Sequence, residues 1–479
     1  MTVTQGCQGT GQPFLQAGTA GGRWVLLAAV LGSGVAILDG TVINVALPSI
    51  GRDLDADVAE LQWMVNAYLL TLASLILVGG GLGDRFGRRR VFLIGVAWFA
   101  VASLLCAVAQ TADQLVLARL VQGVGGALLT PGTLAILQAS FRPQDRGRVI
   151  GQWAGLGGVA AAIGPPLGGW VVEAFSWRWV FLVNVPLGAV IIYVGLRHVP
   201  ESLDPDAPHA WDVAGSVLGV LGLGGVTYAL IEVGSPYAPL FGVVGLAALA
   251  AFLVVESRSP HPLMPLHLFR SRMFSVANAM TLLVYGALGA MTFFLVLQLQ
   301  VVAGYSPWQA GFALLPITVM MLALSSRSGA LSARIGPRLQ MSIGPVVCGA
   351  GALLLTGVGE DASYWLDVLP GMTLFSLGLV ALVAPLTTSV LAAAPDRFAG
   401  VASGINNAVA RTGSLLAVAA LPALVGLSGE DYARPEVFTA GYQSAMTISA
   451  ALLVTGGVVT FFGLGRSTGA AAQPLPAAR

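Results

Sequence analysis

The sequence contains no lysine; all 23 of its basic residues are arginine. That absence removes whole mechanisms. A phosphate-gripping P-loop needs its lysine, and Schiff bases with retinal or pyridoxal need one too. The chain itself is therefore neither an ATP-driven pump of the P-loop kind nor a retinal protein, and no ATP partner or other cofactor is expected. Cysteine is equally scarce. Cys7, Cys106 and Cys348 lie far apart, which indicates neither a disulfide framework nor a metal site. Charge is scarce as well: charged residues make up 9% of the 479, where a soluble domain carries about 25%. The net charge of +1 gives nucleic acid no hold. The first twenty residues, polar and glycine-rich, lack the charged, apolar and small-residue pattern of a cleaved signal peptide.

What is present is apolar. Hydrophobic residues form 56% of the chain, in runs long enough to cross a bilayer as helices. Fourteen spans are expected, near 24–47, 62–83, 91–110, 114–137, 149–172, 179–197, 212–232, 240–256, 275–300, 308–328, 339–357, 365–391, 402–425 and 442–464. This is an all-α integral membrane protein. Trp63, Trp177, Trp179, Trp308 and Trp365 fall at one set of proposed ends, with Trp24 and Trp211 at the other, as an interfacial belt requires.

Arginine placement sets the orientation. The segments "DRFGRRR" (84–90), "FRPQDRGR" (141–148), "ESRSPHPLMPLHLFRSR" (256–272) and "RSGALSARIGPR" (327–338) occupy alternate loops, and the opposite loops are acidic. About 18 of the 23 arginines fall on one side, which is read as cytoplasmic. An even number of spans then puts both termini there.

The loop "GGLGDRFGRRRVFLIG" (80–95) returns as "GALSARIGPRLQMSIG" (329–344), an offset of 249 residues. A weaker echo links "FRPQDRGRVIG" (141–151) with "AAPDRFAGVASG" (393–404). The offset is too long for six helices with short loops, so two extra helices separate duplicated halves. The expected organisation is a tail over 1–23, a six-helix half over 24–198, a two-helix insert over 199–272, a second half over 273–465 and a tail over 466–479. Duplicated halves of this kind place a substrate site at the midplane and operate by rocking.

The stretch "GLGDRFGRRR" resembles the helix 2–3 motif of the major facilitator superfamily. "LDGTVINVALP" (38–48), "LARLVQGVGGALLTPG" (117–132) and "GPPLGG" (164–169) resemble the helix 1, 4 and 5 motifs of its fourteen-spanner branch, the drug:proton antiporters. The resemblance covers nearly the whole chain. It implies the major-facilitator fold with two pseudo-symmetric halves, and proton-driven export of lipophilic drugs or antibiotic-like metabolites from the bacterial plasma membrane. The implied partners are a small lipophilic substrate, protons and the bilayer, with the chain a monomer. Proton-coupled or passive import of a metabolite is the alternative on the same fold.

The residues themselves nominate the chemistry. Asp39 lies about 13 Å from the far end of helix 1, and Arg119 about 8 Å inside helix 4, depths at which they can meet. Buried charge faces a partner or water. Asp39 either alternates between a proton and a partner, coupling proton flow to export, or stands in a permanent ion pair. Arg411 is the other deep charge, with no carboxylate in the second half's spans to meet it. It either contacts an anionic or carbonyl-bearing substrate or clamps helices through backbone carbonyls. Interior charge thus sums to one negative and two positive.

Asp84, Arg85, Gly87, Arg88 and Arg89 form a candidate inner gate, with Asp84 aimed at the N-terminus of helix 13. Ala333 replaces Asp84 in the second half. Gly164, Pro165, Gly168 and Gly169, preceded by Gly151, Gly155 and Gly158, make a small-residue face for close helix packing. The cavity is expected to be lined by Asn44, Asn66, Tyr68, Gln122, Gln298, Asn406, Asn407 and Arg411, with Gln62 and Gln300 either lining it or sitting at the membrane interface. No enzyme is indicated. "GRSTG" (465–469) has no strand–turn–helix context, and the four histidines form no H-E-x-x-H.

Overall fold

The computed structural model describes residues 14–204, 212–395, 398–429 and 431–465. Cys7, Trp211, the Asp396 and Arg397 of the second echo, and the stretch beyond Gly465 lie outside them. Among the described residues, fourteen helices are long and apolar enough to cross a bilayer. They are α1 (Ala20–Leu54), α2 (Val58–Phe86), α3 (Arg88–Ala107), α4 (Ala112–Ser140), α5 (Pro143–Ala174), α6 (Arg178–His198) and α7 (Val213–Ile231). The others are α8 (Ala238–Arg258), α9 (Arg272–Val302), α10 (Pro307–Ile335), α11 (Pro337–Leu355), α12 (Tyr364–Ala392), α13 (Gly400–Leu424) and α14 (Pro435–Gly463).

Most of the helices overrun the expected spans at one end or both, while α7 falls one residue short at each. Hydropathy marks only the apolar stretch, whereas backbone hydrogen bonding carries the helix on until a cap or a glycine ends it. Thus α1 continues through Pro48 to Leu54, and α5 starts at Pro143. The segment 327–338, read as a loop, is largely helix, so Arg327 and Arg334 belong to α10. Arg327, eight residues inside the end of α10, thus joins Arg119 and Arg411 as an arginine set well within a span. Two spans are broken, α6 at Val183 and α10 at Leu314, and α9 ends in a π turn over Gln298–Val302.

The duplicated loops are alike in their backbones. One residue separates α2 from α3, Gly87 at φ 108°, and one separates α10 from α11, Gly336 at φ 81°. Only glycine adopts such angles without strain, which explains why both glycines recur at the same offset. Gly87 also leaves no room for a side chain, since a Cβ there would stand 2.8 Å from the Glu201 carboxylate. Glu201 accepts from the Arg89 backbone N–H at 3.0 Å, capping the start of α3.

The two halves meet along related seams, α2 against α13 and α5 against α10. At the acidic end both seams are sealed. The Gln62 side chain of α2 donates to the carbonyls of Val418 and Ala419 on α13, at 2.7 and 2.9 Å. Gln300 donates to the Val45 carbonyl at 2.9 Å. On the other seam, a Cβ at Gly169 would meet Pro307 O at 2.2 Å, and one at Gly311 would meet Pro165 O at 2.2 Å. Backbone thus lies on backbone.

The arginine-rich end differs. There α2 and α13 stay together, with a Cβ at Gly404 only 3.1 Å from Leu77, but α5 stands apart. Cβ atoms at Gly147, Gly151, Gly155 and Gly158 would meet nothing within 4 Å, so these glycines do not form the close-packed face expected of them. Between Gly151 and Gly158 the helix is exposed around most of its circumference. One side faces lipid and the other open space between the halves. The insert stays outside this space: α7 packs on α2 and α13, and α8 packs on α7. Its buried carboxylates, Asp212 and Glu256, sit at the arginine-rich end.

A methyl at Gly169 obstructs closure of the acidic end, whereas one at Gly151 enters open space. In a background lacking the three native cysteines, Gly169→Ala is expected to raise labelling of a Val45→Cys probe by a membrane-impermeant maleimide several-fold. Gly151→Ala is expected to leave labelling unchanged. Equal labelling in both variants would contradict the seal.

Candidate functional site

The first half buries a single polar cluster to which five helices contribute. Asp39 on α1 is 2% exposed and Arg119 on α4 is 0% exposed, and they form a direct ion pair. A second donor to Asp39 is Gln122, one turn along α4, whose Nε2 reaches Oδ1 at 2.8 Å. The third is Asn184 on α6, whose Nδ2 reaches the same oxygen at 3.1 Å. Ser103 on α3 ties the donors together, accepting from Gln122 at 2.9 Å and from Asn184 at 3.2 Å. From α2, the Met64 carbonyl accepts from Arg119 Nε at 3.1 Å.

The positions follow from local geometry. Arg119 and Gln122 stand three residues apart, which places both on one face of α4. Arg119 Nη1 also donates to Gln122 Oε1 at 2.6 Å, so guanidinium and amide hold each other in register. The break at Val183 brings Asn184 to the first turn of the continuing helix, within reach of Asp39. Arg119 is sandwiched between aromatic rings, 4.5 Å from the Tyr68 centroid and 5.7 Å from that of Phe181. A desolvated guanidinium gains from such faces.

A buried ion pair needs its remaining donors and acceptors satisfied to offset lost hydration. Both Asp39 oxygens are occupied, and of the guanidinium nitrogens only Nη2 lacks an acceptor. The cluster holds one negative and one positive charge, sealed from solvent.

Several residues expected to line a cavity lie elsewhere. Gln122 and Tyr68 belong to the sealed cluster. Gln298 donates to Val358 O and Thr439 Oγ1 inside the second half, while Gln62 and Gln300 join the halves. Asn406 donates to Asn278 and Thr281, fastening α13 to α9. Asn66 is fully buried with neither amide atom partnered, and Asn44 is 9% exposed. Polar side chains in a packed bundle find helix-to-helix partners first, and so most of the set is withdrawn from open space. Asn407 is exposed and Arg411, one turn further along α13, is half-buried.

The gate residues take a local arrangement. Asp84 pairs with Arg88 at 2.7 Å instead of reaching the start of α13. The Asp84 carbonyl accepts from Asp204 N at 2.9 Å. Arg85 lies over the Phe86 ring, and Arg89 and Arg90 face Glu201 at 3.7 and 3.6 Å. Of the α5 motif, Gly164 and Gly168 admit α1, where Cβ atoms would meet Thr41 Oγ1 at 2.4 Å and Val42 Cγ1 at 2.3 Å. Gly169 and Pro165 meet α10 of the other half. Sequence reasoning did not single out Asn184, Ser103 or Glu201. The only available signal was polarity within or just beside an apolar run.

Comparison with known proteins agrees with this architecture. The profile described as Major Facilitator Superfamily matches residues 29–418. The tetracenomycin C resistance and export protein of Streptomyces glaucescens is 35% identical over 420 residues, covering 85% of this chain and 77% of that protein. The methylenomycin A resistance protein of Streptomyces coelicolor is 35% identical over 403 residues, covering 83% and 84%. The solved structure of a bacterial homologue of the human drug peptide transporters PepT1 and PepT2 superposes with a TM-score of 0.68. It shares 15% identity and covers 92% of this chain and 98% of that one, a likeness of fold.

Removing one member of the ion pair strands the other in a dry interior. Arg119→Ala is expected to destabilise the protein by about 3–5 kcal/mol, the range for breaking a buried pair. The double variant Asp39→Asn, Arg119→Gln, which removes both charges, is expected to recover part of that loss. Thermal unfolding in detergent measures both, and a double variant no more stable than Arg119→Ala would refute the account.

Proposed function

The chain belongs to the major facilitator superfamily, and from that membership we propose that it exports lipophilic drug-like or antibiotic-like compounds in exchange for protons. It is a multi-pass membrane transporter and not an enzyme. The arginine-rich end is assigned to the cytoplasm, with both termini there, in the plasma membrane of a bacterium. The observation that carries the reading is the wholly buried Asp39–Arg119 pair, an ionisable group at a depth where charge is costly to keep.

In this orientation the molecule is closed toward the outside and open toward the cytoplasm, ready to receive cargo. Cargo enters between the halves at the arginine-rich end. Outward opening separates the backbone contacts of α5 with α10 and withdraws the Gln300 bridge, while Gln62 keeps α2 on α13. A proton arriving from outside then neutralises Asp39, whose link to Arg119 weakens from a charge pair to a neutral hydrogen bond. Arg119 keeps its Met64 carbonyl and its Tyr68 face. Tyr68 is the natural relay, since it rests on Arg119 and is also near enough to Arg411 to feel its charge. On return, loss of the proton to the cytoplasm restores the pair and the inward-open state.

The relatives support export over import, because one is named for resistance and export and another for resistance. The sealed position of Asp39 supports a proton role over direct cargo binding, because the carboxylate is not exposed to the space between the halves.

The decisive measurement is efflux from energised cells for the wild type and Asp39→Asn. Wild-type efflux against a gradient is expected to stop on adding a protonophore. The Asn variant is expected to lose uphill efflux while keeping downhill exchange of cargo. Uphill pumping by the variant at the wild-type rate would remove Asp39 from the coupling role, and accumulation of cargo driven by protons would favour import.

A further inference from the structure

The space between the halves carries an unbalanced positive charge. Among the described residues, only Asp39, Arg119, Arg327 and Arg411 lie at least seven residues from either end of a span. Asp39 and Arg119 cancel inside the first half. Arg327 is exposed near the arginine-rich end, leaning on the Ala323 carbonyl at 3.4 Å. Arg411 remains, at the middle of α13.

Its surroundings leave it uncompensated. Arg411 makes no hydrogen bond and no ion pair with any described residue. The α9 side of α13 is taken up by Asn406 and Gly413, where Asn406 bonds Asn278 and a Cβ at Gly413 would meet Leu282 O at 2.4 Å. Arg411 lies about 160° around the helix from Gly413 and about 60° from Ser414, which donates to the Tyr285 carbonyl of α9 at 2.9 Å, so it stands at the edge of the α9 seam on the side of α2. The exposed Asn407 is one turn below it on the same side. Tyr68 and Tyr285 are both close enough to feel its charge. The fully buried amide of Asn66, on the α2 face that meets α13, has neither atom partnered.

An unpaired guanidinium at mid-depth repels a cation and rewards a carboxylate with two parallel hydrogen bonds. Among the described residues the only deep carboxylate, Asp39, is fully engaged by Arg119, Gln122 and Asn184, so it offers nothing to a cationic drug. We infer that the cargo is an amphiphilic monoanion, an apolar body bearing one carboxylate or ionised phenol, whose anionic group pairs with Arg411. This rests on the reading of the protein as a proton-coupled exporter and narrows its substrate class.

The inference also fixes an electrical signature. Exchanging a proton for an outgoing anion moves one more positive charge inward than exchange for a neutral compound. Exchange for a cation moves one fewer.

The test uses three probes on one skeleton, 1-pyrenebutanoate, its amide and the corresponding amine, with the full-length protein in proteoliposomes. The wild type is expected to bind the carboxylate about tenfold more tightly than the amide, as a charge-assisted bidentate pair requires, and the amine most weakly. Arg411→Gln is expected to bring carboxylate and amide within about twofold, while Arg411→Lys, which keeps the charge without the fork, retains most of the preference. With no pH gradient, a potassium–valinomycin potential is expected to accelerate carboxylate export more than amide export and to leave amine export unaffected.

Equal or tighter binding of the amide or amine by the wild type overturns the inference. So does an unchanged preference in Arg411→Gln, carboxylate export insensitive to potential, or failure to bind any of the three. A carboxylate preference that persists without proton coupling of any probe would instead sink the antiport reading and leave the anion preference standing.

Discussion

A carboxylate buried in a bundle of apolar helices has to be neutralised where it stands, and the first half of this protein is organised around that requirement. Asp39 draws Arg119 and Gln122 from α4, Asn184 from α6 and, through Ser103, a residue of α3. Met64 and Tyr68 of α2 complete the enclosure. No pair of neighbouring helices can supply this set alone. The cluster therefore fixes the mutual rotation of five helices as well as holding a charge. An ion pair of this kind adds little net stability, because desolvation consumes much of the attraction. In the proposed exchange, the pair has a second role when a proton arrives.

Among its described residues, the second half holds no counterpart: its deep charge, Arg411, stands without a carboxylate, and Asn406 beside it serves packing. The duplicated halves thus differ in charge, one keeping a compensated ion pair and the other, among its described residues, an uncompensated cation at mid-depth. Tyr68 rests on Arg119, and in the proposed exchange it is the ring through which a change at the Asp39 pair is passed toward the space between the halves.

Much of this was legible in the sequence because the signals were anomalies. An aspartate in an apolar run, an arginine in an apolar run and two glycines recurring at one offset all break a local rule, and each has a physical reason in the structure. Gly87 and Gly336 need positive φ, and Gly168 and Gly169 need bare backbone. Asn184, Ser103 and Glu201 were not legible, since a small polar residue in a helix is ordinary and its partner depends on lateral packing. The cavity set failed for the same reason: Gln298 and Asn406 are polar, but neighbouring helices claim them before open space does. Helix ends were misjudged because hydropathy measures the lipid's thickness and not the length of the helix, which is how Arg327 came to be read as part of a loop.

The two seams, equivalent by duplication, are unequal in the folded chain. The seam of α2 and α13 remains joined from Gln62 to Leu77, while that of α5 and α10 parts toward the arginine-rich end. A body joined along one edge and free along the other turns as a door does, about its joined edge. Displacement grows with distance from that axis, so in the proposed transport cycle the lower part of α5 would sweep the widest arc. Its run of glycines at 147, 151, 155 and 158 then reads as clearance: a surface left bare so that the moving edge meets nothing on its way.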